Sequence, residues 1–205
     1  RYEKPQSGRL RQFHQVGFEI IGPESPKADF EMIILVDTFL RRLGLTKYKI
    51  HLNSIGCPVC RKNYREALKE YYGQVLDNLC DDCKRRYETN ILRLLDCKVD
   101  HEYALNAPKS VDYLCDSCRA HYKKLKEYLN TFEIEYVEDH TLVRGLDYYT
   151  RTVFEVRHEG LGAQNAIAGG GRYDGLFAEL GGSSVPALGF AGGIERIILA
   201  LKAEG

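Results

Sequence analysis

The chain has no surplus of either charge, because 29 basic and 29 acidic side chains leave a formal net charge of zero over 205 residues. That excludes a surface built to coat a polyanion, while a local basic site for a phosphate ligand stays compatible with it. No apolar run approaches the roughly 18 residues a membrane span needs, so none is expected. The beginning carries no secretory leader pattern, and the only methionine is Met32. Neither G-x-x-x-x-G-K-[ST] nor G-x-G-x-x-G occurs. Any nucleotide must therefore be held by something other than a P-loop or a Rossmann turn. The six histidines (14, 51, 101, 121, 140 and 158) form no H-x-x-x-H pair and read as surface or packing residues. Internal repeats and low-complexity tracts are also missing.

What is present suits a folded domain. With 44% hydrophobic and 28% charged residues, disorder, collagen-like repeats and coiled coil are excluded. The length fits one large domain, or a domain carrying a smaller insertion, able to bury about 70% of its unfolded surface. The chain opens on Arg1 and closes inside a helical pattern, so a fragment is expected. The seven cysteines include three C-x-x-C pairs, Cys57/Cys60, Cys80/Cys83 and Cys115/Cys118, with Cys97 left over. An odd number in close pairs, without a leader, points to thiols in the cytoplasm and not to a disulfide framework.

Periodicity divides the chain into three. Residues 9–21 alternate as a strand, with Phe13, Gln15, Gly17, Glu19 and Ile21 on one face and His14, Val16, Phe18 and Ile20 on the other. The second face belongs on a core. The first sets an amide and a carboxylate around a residue without a side chain, as a ligand-facing surface would. Ser25-Pro26 starts a helix that Gly44 stops, with Phe30, Ile33, Ile34, Phe39, Leu40 and Leu43 expected as its buried side. Tyr48–Ile55 reads as a second strand, completing a first core segment over residues 1–56. Residues 57–130 hold every cysteine and show helical spacing, the pattern of a helical insertion. Residues 131–205 return to strands at Ile134–Glu138, Thr141–Arg144, Thr150–Arg157 and Gln164–Gly169, then end in a helix from about Gly193. Strands adjacent in sequence around a helical block predict an α+β fold with an antiparallel sheet.

Four segments carry polar chemistry. Residues 1–15 place Arg1, Lys4, Arg9 and Arg11 beside one acid, Glu3, around a Pro-Gln-Ser-Gly turn. Arginines there can clamp phosphate oxygens, or the loop can be a solvated basic hairpin. Arg144 stands before a glycine turn followed by Asp147, Tyr148 and Tyr149. Paired tyrosines often pack across strands, but an Arg and an Asp at the same turn suggest a small polar ligand. Gly169–Gly171 strips side chains where a backbone can approach a ligand closely. Gly192-Gly193 precede a helix whose first turn carries Glu195 and Arg196, an arrangement that favours an anion.

These segments also carry a resemblance. Arg1-Tyr2-Glu3 with its loop resembles motif 2 of the class II aminoacyl-tRNA synthetases, and Gly189-Phe190-Ala191-Gly192-Gly193-Ile194-Glu195-Arg196 resembles their motif 3. The strings Leu142–Tyr149 and Gly169–Gly175 are narrower and resemble the signatures of the histidyl-tRNA synthetase family. The resemblance runs over essentially the whole chain. It implies a class II synthetase-like fold and a ligase that joins L-histidine to ATP, with Mg2+, as histidyl-adenylate. Histidine then passes to its tRNA. By that resemblance Arg1 and Arg144 contact the α-phosphate, and Arg1 also holds the amino-acid carboxylate. Arg9 and Arg196 bind the outer phosphates, Glu3 meets the adenine amino group and Phe13 stacks on the base. Gln15, Glu19, Arg144, Tyr148, Tyr149 and Tyr173 form the histidine pocket. It further implies a homodimer, a motif 1 segment and an anticodon-binding domain beyond the two ends, and weak or no activity for the 205-residue piece alone.

The cysteines remain a separate question. Cys57, Cys60, Cys115 and Cys118 flank the insertion and could hold a structural zinc at its base. Cys80 and Cys83 compete for the same role, Cys97 could replace any ligand, and buried free thiols are the alternative. Two rival functions also stand: a non-catalytic histidine-sensing regulatory paralogue of ATP phosphoribosyltransferase, and a zinc-stabilised interaction module. The first tends to lose phosphate-binding arginines, whereas Arg1, Arg9, Arg144 and Arg196 are all present here.

Overall fold

The computed structural model describes residues 10–145 and 148–205. Its centre is a six-stranded sheet in the order β1-β6-β5-β4-β2-β3. The strands are β1 (Gln15–Ile21), β2 (Tyr48–Ser54), β3 (Tyr136–Glu138), β4 (Thr150–His158), β5 (Ala166–Arg172) and β6 (Ala187–Gly193). Every pairing is antiparallel except β2 with β3, which is parallel, so the expected antiparallel sheet is a mixed one at this edge. The reason is topological: the chain leaves β2, makes a long helical excursion and returns alongside, the connection that parallel neighbours require. Two further expectations change. Residues 141–144 form no strand; the Asp139 carboxylate instead captures the Thr141 N–H and hydroxyl at 3.0 and 2.6 Å. The Gly-rich stretch before the last helix is a full strand, β6, paired on both sides.

Helix α1 (Pro26–Arg42) begins where the Ser25 hydroxyl accepts the Lys27 N–H at 3.3 Å, with proline in the first turn. It ends at Gly44, whose φ of +95° turns the chain away. Met32, Ile33, Val36 and Leu40 are its fully buried residues, and Leu43 is exposed instead of buried. This face meets Phe18 and Phe190 of β1 and β6, and α5 (Asp116–Thr131) lies against it through Tyr122, Leu125 and Leu129. Phe30 of α1 stacks near Phe132 at 4.8 Å between ring centroids. Burying a Leu or Ile side chain stabilises by about 1.5–3 kcal/mol, so this layer carries much of the fold.

Between β2 and α5 lie α2 (Pro58–Gly73), α3 (Asp81–Thr89) and α4 (His101–Leu105), joined by single 3-10 turns. They build a second core from Tyr64, Leu68, Tyr72, Leu79, Cys83, Ile91, Leu94, Cys97 and Ala104. Residues 57–130 therefore divide in their packing: α5 shares the core of the sheet, and the earlier helices gather around their own. Two short helices complete the chain, α6 (Leu176–Glu179) and then α7 (Ile194–Glu204), which follows β6 directly. Among the described residues no helix is long and apolar enough to cross a membrane.

A charged cluster fixes α1 to the sheet. Arg172 is fully buried and pairs with Asp29 at 2.7 Å and Asp174 at 3.1 Å, while His121 of α5 meets Asp29 at 3.1 Å. Burial alone would raise the Asp29 carboxyl, but the His121 hydrogen bond and the Arg172 charge hold it below its ordinary value.

Candidate functional site

One face of the sheet is nearly bare in its centre. The register aligns Glu19 of β1 with Gly189 of β6 and Gly171 of β5, and aligns Gly17 with Ala191, Gly169 and Glu155. Directly opposed residues share a face, so side chains stand at the sides of this surface and backbone forms its floor. Three polar or aromatic side chains lie down on that floor, each over a glycine. A Cβ at Gly169 would sit 2.5 Å from Nη1 of Arg144, and one at Gly171 would sit 3.0 Å from the Tyr149 ring. One at Gly189 would collide with the Glu19 carboxylate. The glycines are the space these side chains occupy.

Toward β1 the Tyr173 hydroxyl donates to Oε2 of Glu19. The Tyr148 ring lies 4.8 Å from Tyr149 and 5.9 Å from Tyr173, between centroids. Burial, reinforced by neighbouring Tyr149, pushes the Tyr148 phenol up to about 12. Burial and then Glu19 raise Tyr173 as well, so both phenols keep their protons near neutrality and act as donors. A carboxylate flanked by phenols is suited to a small ligand that offers N–H groups.

A cavity of about 510 Å³ adjoins this cluster, lined among others by Phe13, Gln15, Arg144, Glu155, Gly169 and Arg196. Phe13 lines it and is 56% exposed, so its ring is accessible for stacking. Arg196 enters from the first turn of α7 and donates to the Ala166 carbonyl at 2.6 Å. Its neighbour Glu195 is committed to the start of β1, taking the His14 N–H at 3.0 Å and its ring Nδ1 at 2.8 Å. Arg144 donates to Glu155 at 2.8 Å, lies 5.9 Å from the Tyr149 ring centroid and keeps a buried Nε with no hydrogen-bond partner among the described residues. A partly buried guanidinium with a spare donor is prepared for an anion.

Behind Arg144 runs a network that has no signature in the sequence. Arg157 bridges Glu155 at 2.7 Å and Asp139 at 2.8 Å, and His51 meets Asp139 at 3.1 Å. Burial would raise the Asp139 carboxyl, but hydrogen bonds from His51 and Thr141 and the Arg157 charge hold it well below the usual range. These residues come from β2, β4 and a loop with no common motif, and only the strand register brings them together. Their effect is to fix Glu155, and so the angle at which Arg144 crosses the sheet.

Of the residues singled out from sequence, Phe13, Gln15, Arg144 and Arg196 share the cavity, and Glu19, Tyr148, Tyr149 and Tyr173 form the adjoining cluster. Arg1, Glu3 and Arg9 lie outside the described residues.

The cysteines gather in two places. The thiols of Cys57, Cys60, Cys115 and Cys118 lie within 4.8 Å of one another, with Cys57 and Cys60 at 3.5 Å and the Cys115 N–H directed at Cys60 Sγ at 3.1 Å. Burial raises the Cys57 thiol, yet the N–H groups of Cys60 and Val59 and the Cys60 thiol outweigh it, to about 7. Burial pushes Cys118 up to about 12. Four sulfurs from two C-x-x-C turns are a donor set that fits a tetrahedral thiophilic ion. Cys80 and Cys83 do not join them; they stand with Cys97 and Asp100.

The six-stranded sheet, with a site on its glycine floor and helices behind it, is the fold of the class II synthetases. The histidyl-tRNA synthetase family model matches residues 1–197. A histidine--tRNA ligase of Thermotoga sp. strain RQ2 is 98% identical over the whole chain, which covers 49% of that protein. The apo crystal structure of S. aureus histidyl-tRNA synthetase superposes with a TM-score of 0.75 at 40% identity, over 95% of this chain and 48% of that one. A Bacillus halodurans structure titled an ATP phosphoribosyltransferase regulatory subunit/histidyl-tRNA synthetase follows at 0.62 and 27%, over 92% of this chain and 53% of that one. The chain belongs to the histidyl-tRNA synthetase family, and it spans about half the length of the curated relatives it matches.

Proposed function

We propose that the full-length protein activates L-histidine with ATP and transfers the histidyl group to its tRNA in the cytoplasm, as a homodimer. The observation that carries this reading is the pairing of two chemically distinct halves on one glycine floor. One half is a carboxylate with phenols, matched to an imidazole and an ammonium group. The other is a cavity lined by three arginines, Arg11, Arg144 and Arg196, with an exposed aromatic ring at Phe13, matched to a nucleoside triphosphate carrying Mg2+. Arg144 stands between them, over Gly169.

In the reaction a histidine carboxylate oxygen attacks the α-phosphorus, and pyrophosphate leaves from the opposite side. Arg144, with Arg1, offsets the charge that develops on the phosphoryl oxygens; Arg9 and Arg196 hold the outer phosphates, Phe13 stacks on the adenine and Glu3 reads its amino group. Gln15, Glu19, Tyr148, Tyr149 and Tyr173 select histidine. A competitor lacking the imidazole N–H would cover the Glu19 carboxylate without pairing it, which is a strong basis for rejection. The thiols of Cys57, Cys60, Cys115 and Cys118 hold a structural zinc at the base of the 57–130 segment, which acts as an insertion domain between the two core segments.

Histidine-dependent ATP–pyrophosphate exchange by the full-length protein tests the reading. Exchange is expected, and Arg144→Gln is expected to lower its kcat by about 100- to 1,000-fold. A protein that binds histidine without exchange would support the regulatory reading suggested by the Bacillus halodurans neighbour instead. The arginines of the cavity favour the ligase.

A further inference from the structure

We propose that Cys80, Cys83, Cys97 and Asp100 form a second metal site, which takes Zn2+ with three thiolates and one carboxylate. The four ligand atoms lie within 4.8 Å of one another. A tetrahedral zinc with bonds of about 2.3 Å to sulfur sets its sulfurs about 3.8 Å apart. Cys80 and Cys97 are separated by 3.8 Å at sulfur, which also lies far beyond the ~2.05 Å of a disulfide.

Two short turns present these atoms. Cys80 is the residue before α3, so Cys80-x-x-Cys83 brings both sulfurs to the first turn of that helix. Asp100 stands in the same position before α4, and Cys97-x-x-Asp100 repeats the spacing with an oxygen in place of the last sulfur. The Cys80 N–H ties the two turns together by donating to Asp100 at 3.1 Å, and the Asp100 N–H closes its own turn on Cys97 Sγ at 3.5 Å. Such N–H groups hold ligands in place while leaving lone pairs for an ion.

The surroundings give the site a purpose. Cys83, Cys97 and Asp100 are buried, at 0, 6 and 5% exposure. A carboxylate beside three thiolates is a costly arrangement without an ion, and a divalent cation turns it into a favourable one. The second core is small: α2 supplies Tyr64, Leu68 and Tyr72, and the short helices α3 and α4, of nine and five residues, are joined to it by 3-10 turns. Small cores of this kind are held by staples. Binding displaces the three thiol protons to solvent and changes no oxidation state, as expected for a structural zinc.

The test is a metal count on the full-length protein, purified under reductant with added Zn2+ and no chelator. Relative to the wild type, Cys83→Ser/Cys97→Ser is expected to lose one zinc per chain and Cys60→Ser/Cys118→Ser to lose another. Retention of full zinc by the first variant overturns the site. Because either double variant can misfold, a second measurement adds a ligand instead of removing one. In the otherwise unaltered protein, loaded with Co2+ at both four-residue clusters, Asp100→Cys raises the cobalt–thiolate bonds from seven to eight. The near-ultraviolet charge-transfer absorbance is then expected to rise by about one seventh. An unchanged band, or no band, excludes Asp100 as a ligand and overturns the proposal.

Discussion

The Tyr173 hydroxyl donates to the Glu19 carboxylate, joining the residue after β5 to β1 across the intervening β6 and fixing where the carboxylate points. Removing that hydroxyl with Tyr173→Phe leaves the acid in place but unsteered. A hydrogen bond to a charged group is worth about 1.5–3 kcal/mol, so the KM for histidine is expected to rise at least tenfold. The KM for ATP should stay within about twofold. Steady-state exchange with each substrate varied in turn separates the two, and an equal rise in both would contradict this division of the site.

The glycines divide into those that make room for a side chain and those that make room for backbone. At Gly169 the obstacle to a Cβ is the far end of Arg144, a flexible side chain that can move. Gly169→Ala should therefore fold nearly as well as the wild type and lose about 10- to 100-fold in kcat. At Gly170 the obstacles are the Gly189 carbonyl and the Phe154 ring at 2.9 Å. Gly170→Ala should instead lower the thermal midpoint by several degrees. Melting curves and exchange rates on both variants check the contrast.

Arg172 has no exposure and its partner Asp29 has 1%. Arg172→Met keeps the bulk and removes the charge, leaving the buried Asp29 carboxylate to the His121 ring without its guanidinium. Breaking a buried pair on one side costs about 3–5 kcal/mol. Guanidinium denaturation should show a midpoint lowered to match, and a loss below 1 kcal/mol would mean that Asp29 finds another partner.

Glu204 supports the start of β2: it accepts the Thr46 and Lys47 N–H groups at 3.0 and 2.9 Å and the Thr46 hydroxyl at 2.7 Å, and its other contact is the His158 ring at 2.9 Å. Burial opposes the charge, but these backbone and hydroxyl donors hold the carboxyl down at about 2. A glutamate in the unfolded chain titrates near 4.3. The folded value lies lower, so the brace contributes stability above about pH 4.3, and the contribution is lost as pH falls toward 2. Glu204→Gln should remove that part of the acid sensitivity. Thermal midpoints of the two proteins between pH 6 and about 2.5 should converge, and parallel curves would exclude the linkage.

The alternation in residues 15–21 was sufficient to set Gln15, Gly17 and Glu19 on one face, because a period of two leaves a strand only one way to lie on a core. The ends of α1 were equally legible through Ser25, Pro26 and Gly44. β6 was not, since Ala-Leu-Gly-Phe-Ala-Gly-Gly has little strand propensity; its neighbours on both sides make it a strand. Nor could the β2–β3 pairing be read, because parallel edges depend on where a distant crossover returns. Arg144, Tyr149 and Tyr173 stood out through the motifs they occupy, whereas Arg157, Asp139 and His51 have no local signature. Asp100 is equally silent, because Cys97-x-x-Asp100 keeps the C-x-x-C spacing but ends in oxygen.

The excursion between β2 and α5 leaves and re-enters at nearly one point: a Cβ at Gly56 would lie 3.0 Å from Leu114, and the Ser110 hydroxyl donates to the Ser54 carbonyl at 2.8 Å. The Cys115 N–H reaches Cys60 across the same gap. Chain length between these anchors is therefore free to vary without pulling on the sheet, while α5 must remain to carry the chain across to β3. A lineage could enlarge, shrink or replace this side lobe and keep the reaction floor undisturbed, so long as the doorway stays shut.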